Sequence, residues 1–231
     1  MLQEHFYYLI IDIACLFFPF LFSFHPSIRF YKEWKAIFKA LFLTALVFIV
    51  WDEWFTKMDV WSFNPRYTTG VYLGHLPIEE IIFFLFIPYC LMFMYHCSAR
   101  YFKNFVESDR NIRYASAIVA AIILVVGLIN IHKWYTGFTF IVTGILLAIL
   151  TLIPYGKRIN WNRFWIIYAF GLIPFFIVNG LLTSIPIVLY NNYENLSIRL
   201  ITIPVEDTVY NLLLFLCNVS LYEWFRKKIK A

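Results

Sequence analysis

Charge is what this sequence has least of. Only 14% of its 231 residues are charged against 62% that are hydrophobic, and the mean hydropathy is +0.72. That is more apolar surface than a soluble domain of this length can bury. Cysteine is sparse and scattered: Cys15, Cys90, Cys97 and Cys217 share no paired spacing, which argues against a thiolate metal site or a disulfide framework. The histidines (His5, His25, His75, His96 and His132) are equally dispersed, and no H-x-x-x-H pair exists. A metal-dependent desaturase or hydroxylase needs clustered histidines, so no metal site is expected. No G-x-G-x-x-G loop offers a cradle to a dinucleotide. The net charge of +5 is not gathered into a basic patch on a soluble fold, so nucleic acid is not an expected partner.

Long apolar runs fill the space that charge leaves. A membrane span needs about 20 mostly apolar residues, and seven windows qualify or come close: 6–24, 34–51, 77–96, 114–130, 135–154, 162–186 and 200–222. The first has too little N-terminal positive charge for a removable signal peptide and counts as a span. Of the 19 basic residues, 15 fall in alternate connections. Arg29, Lys32, Lys35 and Lys39 join spans one and two; Arg100, Lys103, Arg110 and Arg113 join three and four. Lys157, Arg158 and Arg163 join five and six, and Arg226, Lys227, Lys228 and Lys230 form the tail. Basic loops stay on the cytoplasmic side. The expected fold is therefore an all-α integral membrane protein of seven transmembrane helices, N-terminus out and C-terminus in.

The chain also repeats itself. "VFIVWDEW…LGHLPIEEIIFF" (47–84) parallels "FFIVNGLL…ITIPVEDTVYN" (175–211): Phe48 precedes Pro77 by 29 residues, and Phe176 precedes Pro204 by 28. Upstream, both halves run apolar span, proline, basic turn, tryptophan, next span. This predicts a three-helix repeat over 1–100, a linking helix within 101–134 and a second three-helix repeat over 135–231. The two repeats are parallel because the linking span restores direction, and such repeats meet about an axis along the membrane normal.

Each repeat carries two adjacent acids at the start of an apolar run, Glu79 with Glu80 and Glu206 with Asp207. Proline at a helix start places the acids in the first turn, where free N–H groups favour negative charge. Capping needs one acid, whereas two recur here, and an ionisable residue inside a span is a functional candidate by default. Helical spacing sets Glu79 and Glu80 over Phe83 and Phe84, and Glu206 with Asp207 over Tyr210 and Asn211. Carboxyl groups that share a proton, above aromatic faces that stabilise a nearby cation by up to about 2 kcal/mol, suit carbocation chemistry on a hydrocarbon delivered by the bilayer.

At "WSFNPRYTTGVYLGHLPIEEIIFFLF" and "IPVEDTVYNLL" the chain resembles the membrane-embedded lycopene cyclases of carotenoid biosynthesis. It resembles their fused form, with a c-like first half and a d-like second half, over essentially its whole length. The resemblance implies a non-redox isomerisation in which a carboxylic acid protonates a linear ψ end group, a double bond closes the ring on the cation, and a carboxylate removes a proton. Lycopene would become γ- or β-carotene, with no cofactor, in a bacterial or archaeal cytoplasmic membrane. Glu79, Glu80, Glu206 and Asp207 carry over as the proton-handling groups. Self-association and contact with other carotenoid enzymes are left open.

Asp52 and Glu53 close span two on the same side, and Asn64, Pro65 and Tyr67 belong to the matched loop, so Asp52, Asn64 and Pro65 are candidates for shaping a substrate pocket with Phe83, Phe84, Tyr210 and Trp51. The bland alternative is a solvated loop. Trp51, Trp54 and Trp61 also fit an interfacial aromatic belt. Glu223 reads as a paired surface charge, and Asn195-Leu196-Ser197 as a glycosylation sequon that only a lumenal loop would make meaningful. A retinal photoreceptor is disfavoured because residues 200–222 hold no lysine. A proton- or cation-coupled small transporter is the alternative function, weakened by helix bodies of Phe, Ile and Leu.

Overall fold

Each apolar window becomes one helix in the computed structural model, which describes residues 4–101 and 110–230. The helices are α1 (Tyr7–Phe22), α2 (Trp34–Lys57), α3 (Ile78–Tyr101), α4 (Arg110–Ile129), α5 (Trp134–Leu152), α6 (Trp161–Ser184) and α7 (Val205–Lys230). Lys103, one of the basic residues that orient the chain, lies outside the described residues, as does part of the linking segment ahead of α4. Among the described residues, the helices α1 to α6 are long and apolar enough to cross a membrane. Their outward faces carry large apolar side chains such as Phe17, Leu46 and Val50, each more than half exposed. Such a surface needs lipid as its solvent, and the protein is an integral membrane protein.

The seventh helix is as long but less apolar, because Glu206, Asp207, Asn211 and Asn218 interrupt it. Its position explains this. No residue of α7 from 205 to 223 is exposed, so its polar groups face protein rather than hydrocarbon. Around it, α2 and α5 pack along its sides, α3 crosses it, α1 lies on α3, and α4 lies on the outside of α5. One core cluster surrounds Tyr95, Trp161 and Phe215; a second surrounds Trp51, Trp61, Phe84 and Tyr135 near the start of α7.

The connections after α2 and α6 form short antiparallel ladders that periodicity over so few residues does not reveal. These are β1 (Trp61–Phe63), β2 (Tyr72–Leu73), β3 (Leu76–Pro77), β4 (Val188–Tyr190), β5 (Arg199–Leu200) and β6 (Ile203–Pro204). β2 pairs with β3 and β5 with β6, each hairpin leading into a helix through its proline. β1 pairs with β4 across the chain, with Trp61 opposite Tyr190, Ser62 opposite Leu189 and Phe63 opposite Val188. The start of α1 joins the same end of the bundle: Glu4 Oε2 lies 2.6 Å from Arg66 Nε, and Tyr7 stacks on Tyr67.

Several expectations change. α2 runs on past its apolar window to Lys57, so Asp52 sits inside a helix at 1% exposure rather than at a span's end. Arg163 is not a surface loop cation. It is buried at the start of α6, 3.5 Å above the Tyr95 ring centroid, where its Nε donates to the Tyr95 carbonyl at 2.8 Å and to Ser98 Oγ at 3.0 Å. Asn195 is fully buried, donating to the Asn191 carbonyl and accepting from the Ser197 N–H, so its amide is unavailable to a glycosyl carrier.

Candidate active site

Pro77 and Pro204 start α3 and α7 and set the acid pairs in their first turns, but the two members of each pair face different surroundings. Glu79 Oε1 accepts the Thr69 backbone N–H at 2.6 Å. Glu206 Oε1 accepts the Leu196 N–H at 2.7 Å and the Thr136 hydroxyl at 2.6 Å. Both are wholly buried, and each ties the loop before its hairpin to the helix that follows.

Glu80 and Asp207 point instead into a shared, narrow cavity of about 60 Å³. Glu80 Oε2 accepts the Tyr8 hydroxyl. Asp207 accepts the Tyr135 hydroxyl at one oxygen and the Tyr190 hydroxyl at the other, the latter at 2.8 Å. Burial, and then the Asp207 carboxylate, push the Tyr190 phenol well above its usual range, so it stays a neutral donor. Asp52 completes the acidic wall. The Trp61 indole donates to its Oδ1, while Oδ2 has no hydrogen-bond partner among the described residues.

The rest of the wall is aromatic and aliphatic. Phe83 lies edge-on to Tyr8 with centroids 6.4 Å apart, and Trp61 meets Tyr135 at 5.0 Å and Tyr210 at 6.2 Å. Of the candidates read from sequence, Glu80, Asp207, Asp52, Phe83 and Tyr210 line this cavity. Phe84 and Trp51 stand behind the wall in the aromatic cluster around Phe48 and Tyr210. Asn64 and Pro65 build the turn outside it, Asn64 accepting from the Arg66 N–H and Pro65 starting a single 3-10 turn. Trp51 and Trp61 are buried at 7% and 6% exposure and are not belt residues, whereas Trp54, at 39%, keeps the outward position a belt requires.

Tyr8, Tyr135, Tyr190 and Asn179 also line the cavity and were not anticipated, and Asn211, expected beneath Glu206 and Asp207, joins them. A further acid, Asp12, lies one turn below Tyr8, fully buried, with neither oxygen hydrogen-bonded among the described residues. A single tyrosine in an apolar helix carries no signal of its own among 16 tyrosines. The usable signal was the spacing: Tyr8 precedes Glu80, and Tyr135 precedes Asp207, by the same 72 residues.

Fold and cavity together define a multi-span membrane protein with carboxyl groups buried at one end of an apolar helix bundle. The lycopene cyclase family model matches residues 5–98 and 132–225, and the chain belongs to that family of carotenoid-acting membrane enzymes. No curated protein and no solved structure gives a significant match. The two matched stretches start 127 residues apart (132 − 5). The same offset relates Tyr8 to Tyr135, Glu80 to Asp207, and the Thr69 N–H that holds Glu79 to the Leu196 N–H that holds Glu206. It also relates the left-handed backbone of Gly70 and Gly74, φ 81° and 66°, to that of Ser197 and Ile201, φ 60° and 64°.

Proposed function

We propose that this protein is a lycopene cyclase of the fused kind, which closes linear ψ end groups into rings by proton transfer within the membrane. The observation that carries the reading is the meeting of Glu80 and Asp207, each held by a tyrosine hydroxyl, in one aromatic-walled cavity. Glu80 shares the cavity with a second buried carboxyl, Asp52. Both carboxyls line the cavity, and this wall is assigned the role of acid. Asp207 is assigned the role of base, because it accepts an O–H donor at each oxygen, from Tyr135 and from Tyr190.

Protonation of the terminal double bond leaves a tertiary cation. A second double bond attacks it to form the ring bond, and Asp207 takes a proton from the ring to leave the cyclic alkene. One proton enters and one leaves, so the product is an isomer and no redox partner is required. Trp61, Phe83 and Tyr210 face the charge in transit, where aromatic faces are worth about 2 kcal/mol when desolvated. Glu79 and Glu206 are positioning residues that hold the hairpins against the helix starts.

The 127-residue offset supports two parallel three-helix repeats over 1–100 and 135–231, linked through 101–134. The β1–β4 register supports a pseudo-two-fold axis through Ser62 and Leu189, since the Asn64 N–H bonds the Ile187 carbonyl and, 127 residues on, the Asn191 N–H bonds the Val60 carbonyl. With α7 as the seventh span, basic connections inside and acids near the outer face of a bacterial or archaeal cytoplasmic membrane, the topology is N-terminus out and C-terminus in.

The test is expression in bacterial cells that accumulate lycopene, followed by chromatography and absorption spectra of the extracted pigments. One-ring or two-ring carotenes are expected from the unmodified protein, and unchanged lycopene from Glu80→Gln and Asp207→Asn at equal membrane levels. Lycopene left intact by unmodified protein present in the membrane would sink the reading.

A further inference from the structure

The acid cavity shares part of its wall with a neighbouring void. Ile87, Phe175, Asn179 and Asn211 also line this second, narrow void of about 30 Å³ between α3 and α6, with Cys90 and Gly171 on its walls. Met94 and Pro174 are shared in turn between that void and a third, which opens beside Cys97, Phe170 and Ile173. Phe170 and Ile173 are 50% and 61% exposed on the apolar surface, so this mouth faces lipid. From Glu80 to Ser98 the path follows 18 residues of α3, about 27 Å at about 1.5 Å per residue, close to the ~30 Å of a bilayer's hydrocarbon core.

The corresponding contact between α2 and α7 has no such looseness. Ala40, Leu41, Thr44, Ala45 and Phe48 of α2 are each at most 3% exposed, and α2 lies closely along α7. The sequence accounts for the difference. Both helices at the open seam carry an internal proline, Pro88 in α3 and Pro174 in α6, and neither α2 nor α7 does. A proline cannot donate the backbone hydrogen bond to the preceding turn, and its ring pushes on that turn. Offset by 127 residues from Gly171 stands Thr44, buried at 3% exposure. At the neck between acid cavity and seam, Asn211 is 4% exposed and its Nδ2 has no partner among the described residues.

We propose that the α3–α6 seam is the seat of the unreacted part of an extended linear polyene, with its lipid-facing mouth as the way in. The end group lies between Glu80 and Asp207, and the apolar chain runs past Asn211, Cys90, Gly171 and Met94 to the bilayer. The four residues that the seam shares with the acid cavity commit it to this occupant, because a lipid chain would leave the carboxyl end unused. With one seam open and its counterpart filled, a single end group is handled per binding event. Gly171 sets the width: a Cβ there would come within 2.6 Å of Leu91 Cδ2. The inference rests on the reading of the cavity as a cyclisation site.

The cysteines provide a test on the unmodified protein. Cys90 and Cys97 line the seam, and Cys217 sits 127 residues after Cys90 on the filled side. In lipid vesicles, alkylation of Cys90 and Cys97 by a bilayer-partitioning maleimide is expected to slow about tenfold when lycopene is present at about ten times its half-saturating level. The Cys217 rate is expected not to change. Turnover of lycopene without protection of Cys90 and Cys97 overturns the seam and leaves the cyclase reading intact. Protection without turnover overturns the cyclase reading and leaves the seam. In parallel, Gly171→Leu is expected to lower conversion of lycopene roughly tenfold or more while a short acyclic terpene with the same end group still reacts. Val47→Phe, on the lipid face of α2, is the control and is expected to behave as the unmodified protein does. Full lycopene turnover by Gly171→Leu would also overturn the seam.

Discussion

Exchange of each acid for its amide separates the two members of the P-x-E-acid pair. In Glu80→Gln the side chain keeps its shape and still accepts the Tyr8 hydroxyl, but it can no longer supply a proton. A positioned general acid contributes about 10²–10⁴-fold, and this is the loss of turnover expected. Stability should scarcely move. In Glu79→Gln the reverse holds. The 2.6 Å bond from the Thr69 N–H becomes an ordinary neutral one, and the new amide donor falls where Glu79 Oε2 has no partner. Weakening a charge-assisted bond and burying an unpaired donor together cost about 1–3 kcal/mol. At about 2–4 °C per kcal/mol for a chain of this size, the melting temperature falls by several degrees while the cavity and its chemistry persist. The assay is pigment conversion per unit of membrane protein, paired with thermal unfolding in detergent, for both variants and for Glu206→Gln beside Asp207→Asn. Loss of turnover by Glu79→Gln at an unchanged melting temperature, with Glu80→Gln still active, would refute the division of labour argued from these hydrogen bonds.

Tyr190→Phe removes one of the two O–H donors to Asp207; a bond to a charged group is worth about 1.5–3 kcal/mol, so turnover is expected to fall roughly 10- to 100-fold with little change in melting temperature, read from initial rates in vesicles. The hairpin turns respond in opposite directions. Gly74 at φ 66° would bring a Cβ within 2.7 Å of the Glu53 carboxylate, so Gly74→Ala should destabilise by about 1–2 kcal/mol, whereas Ile201→Gly relieves a β-branched residue at φ 64° and should stabilise by about 1 kcal/mol, both measured by thermal unfolding. Arg163→Lys loses the fork of donors to the Tyr95 carbonyl and Ser98 together with the ring contact, and is expected to cost about 2–4 kcal/mol in the same measurement without altering the pigment products.

The helices were legible because lipid imposes a uniform demand on them. Any segment that faces hydrocarbon must be apolar over about 20 residues, and the windows and the observed helices agree to within a few residues except at the ends of α2, α3 and α7. α2 continues through Asp52 and Glu53 because its inner face meets protein, where a carboxyl can find the Trp61 indole. The acid pairs were legible because proline and two carboxylates recur, but the division within each pair was not. Glu79 and Glu80 differ by 100° around the helix, and which of the two faces the cavity depends on the neighbours. Tyr8 and Tyr135 escaped notice because a hydrogen bond across 72 residues leaves no local pattern. The hairpins hid for a different reason. The first half uses Gly70 and Gly74 for its left-handed positions, whereas the second adopts the same backbone with Ser197 and Ile201, which no turn rule anticipates.

The two halves share a backbone plan yet differ in charge around the cavity, and the difference has a direction. Beside Glu80 stand Asp52 and, behind Tyr8, Asp12; at the 127-residue offset from these lie Asn179 or Gly180, depending on the single gap in the repeat, and Thr139. The first half therefore gathers carboxyl groups that compete for protons, while the second surrounds a single carboxylate, Asp207, with phenol donors from Tyr135 and Tyr190. With a symmetric pair of acids, either one could protonate the double bond and the other deprotonate the cation that results, with equal ease and no preferred sense to the transfer. Unequal surroundings assign the delivered proton to one wall and the removed proton to the other. On the proposed mechanism the proton returns from Asp207 to Glu80, and both line the same narrow cavity. On this reading the second half diverged in its pocket lining while its hairpin and helix-start hydrogen bonds stayed as they are in the first, because the scaffold positions both carboxyls and only their neighbours decide which one gives and which one takes.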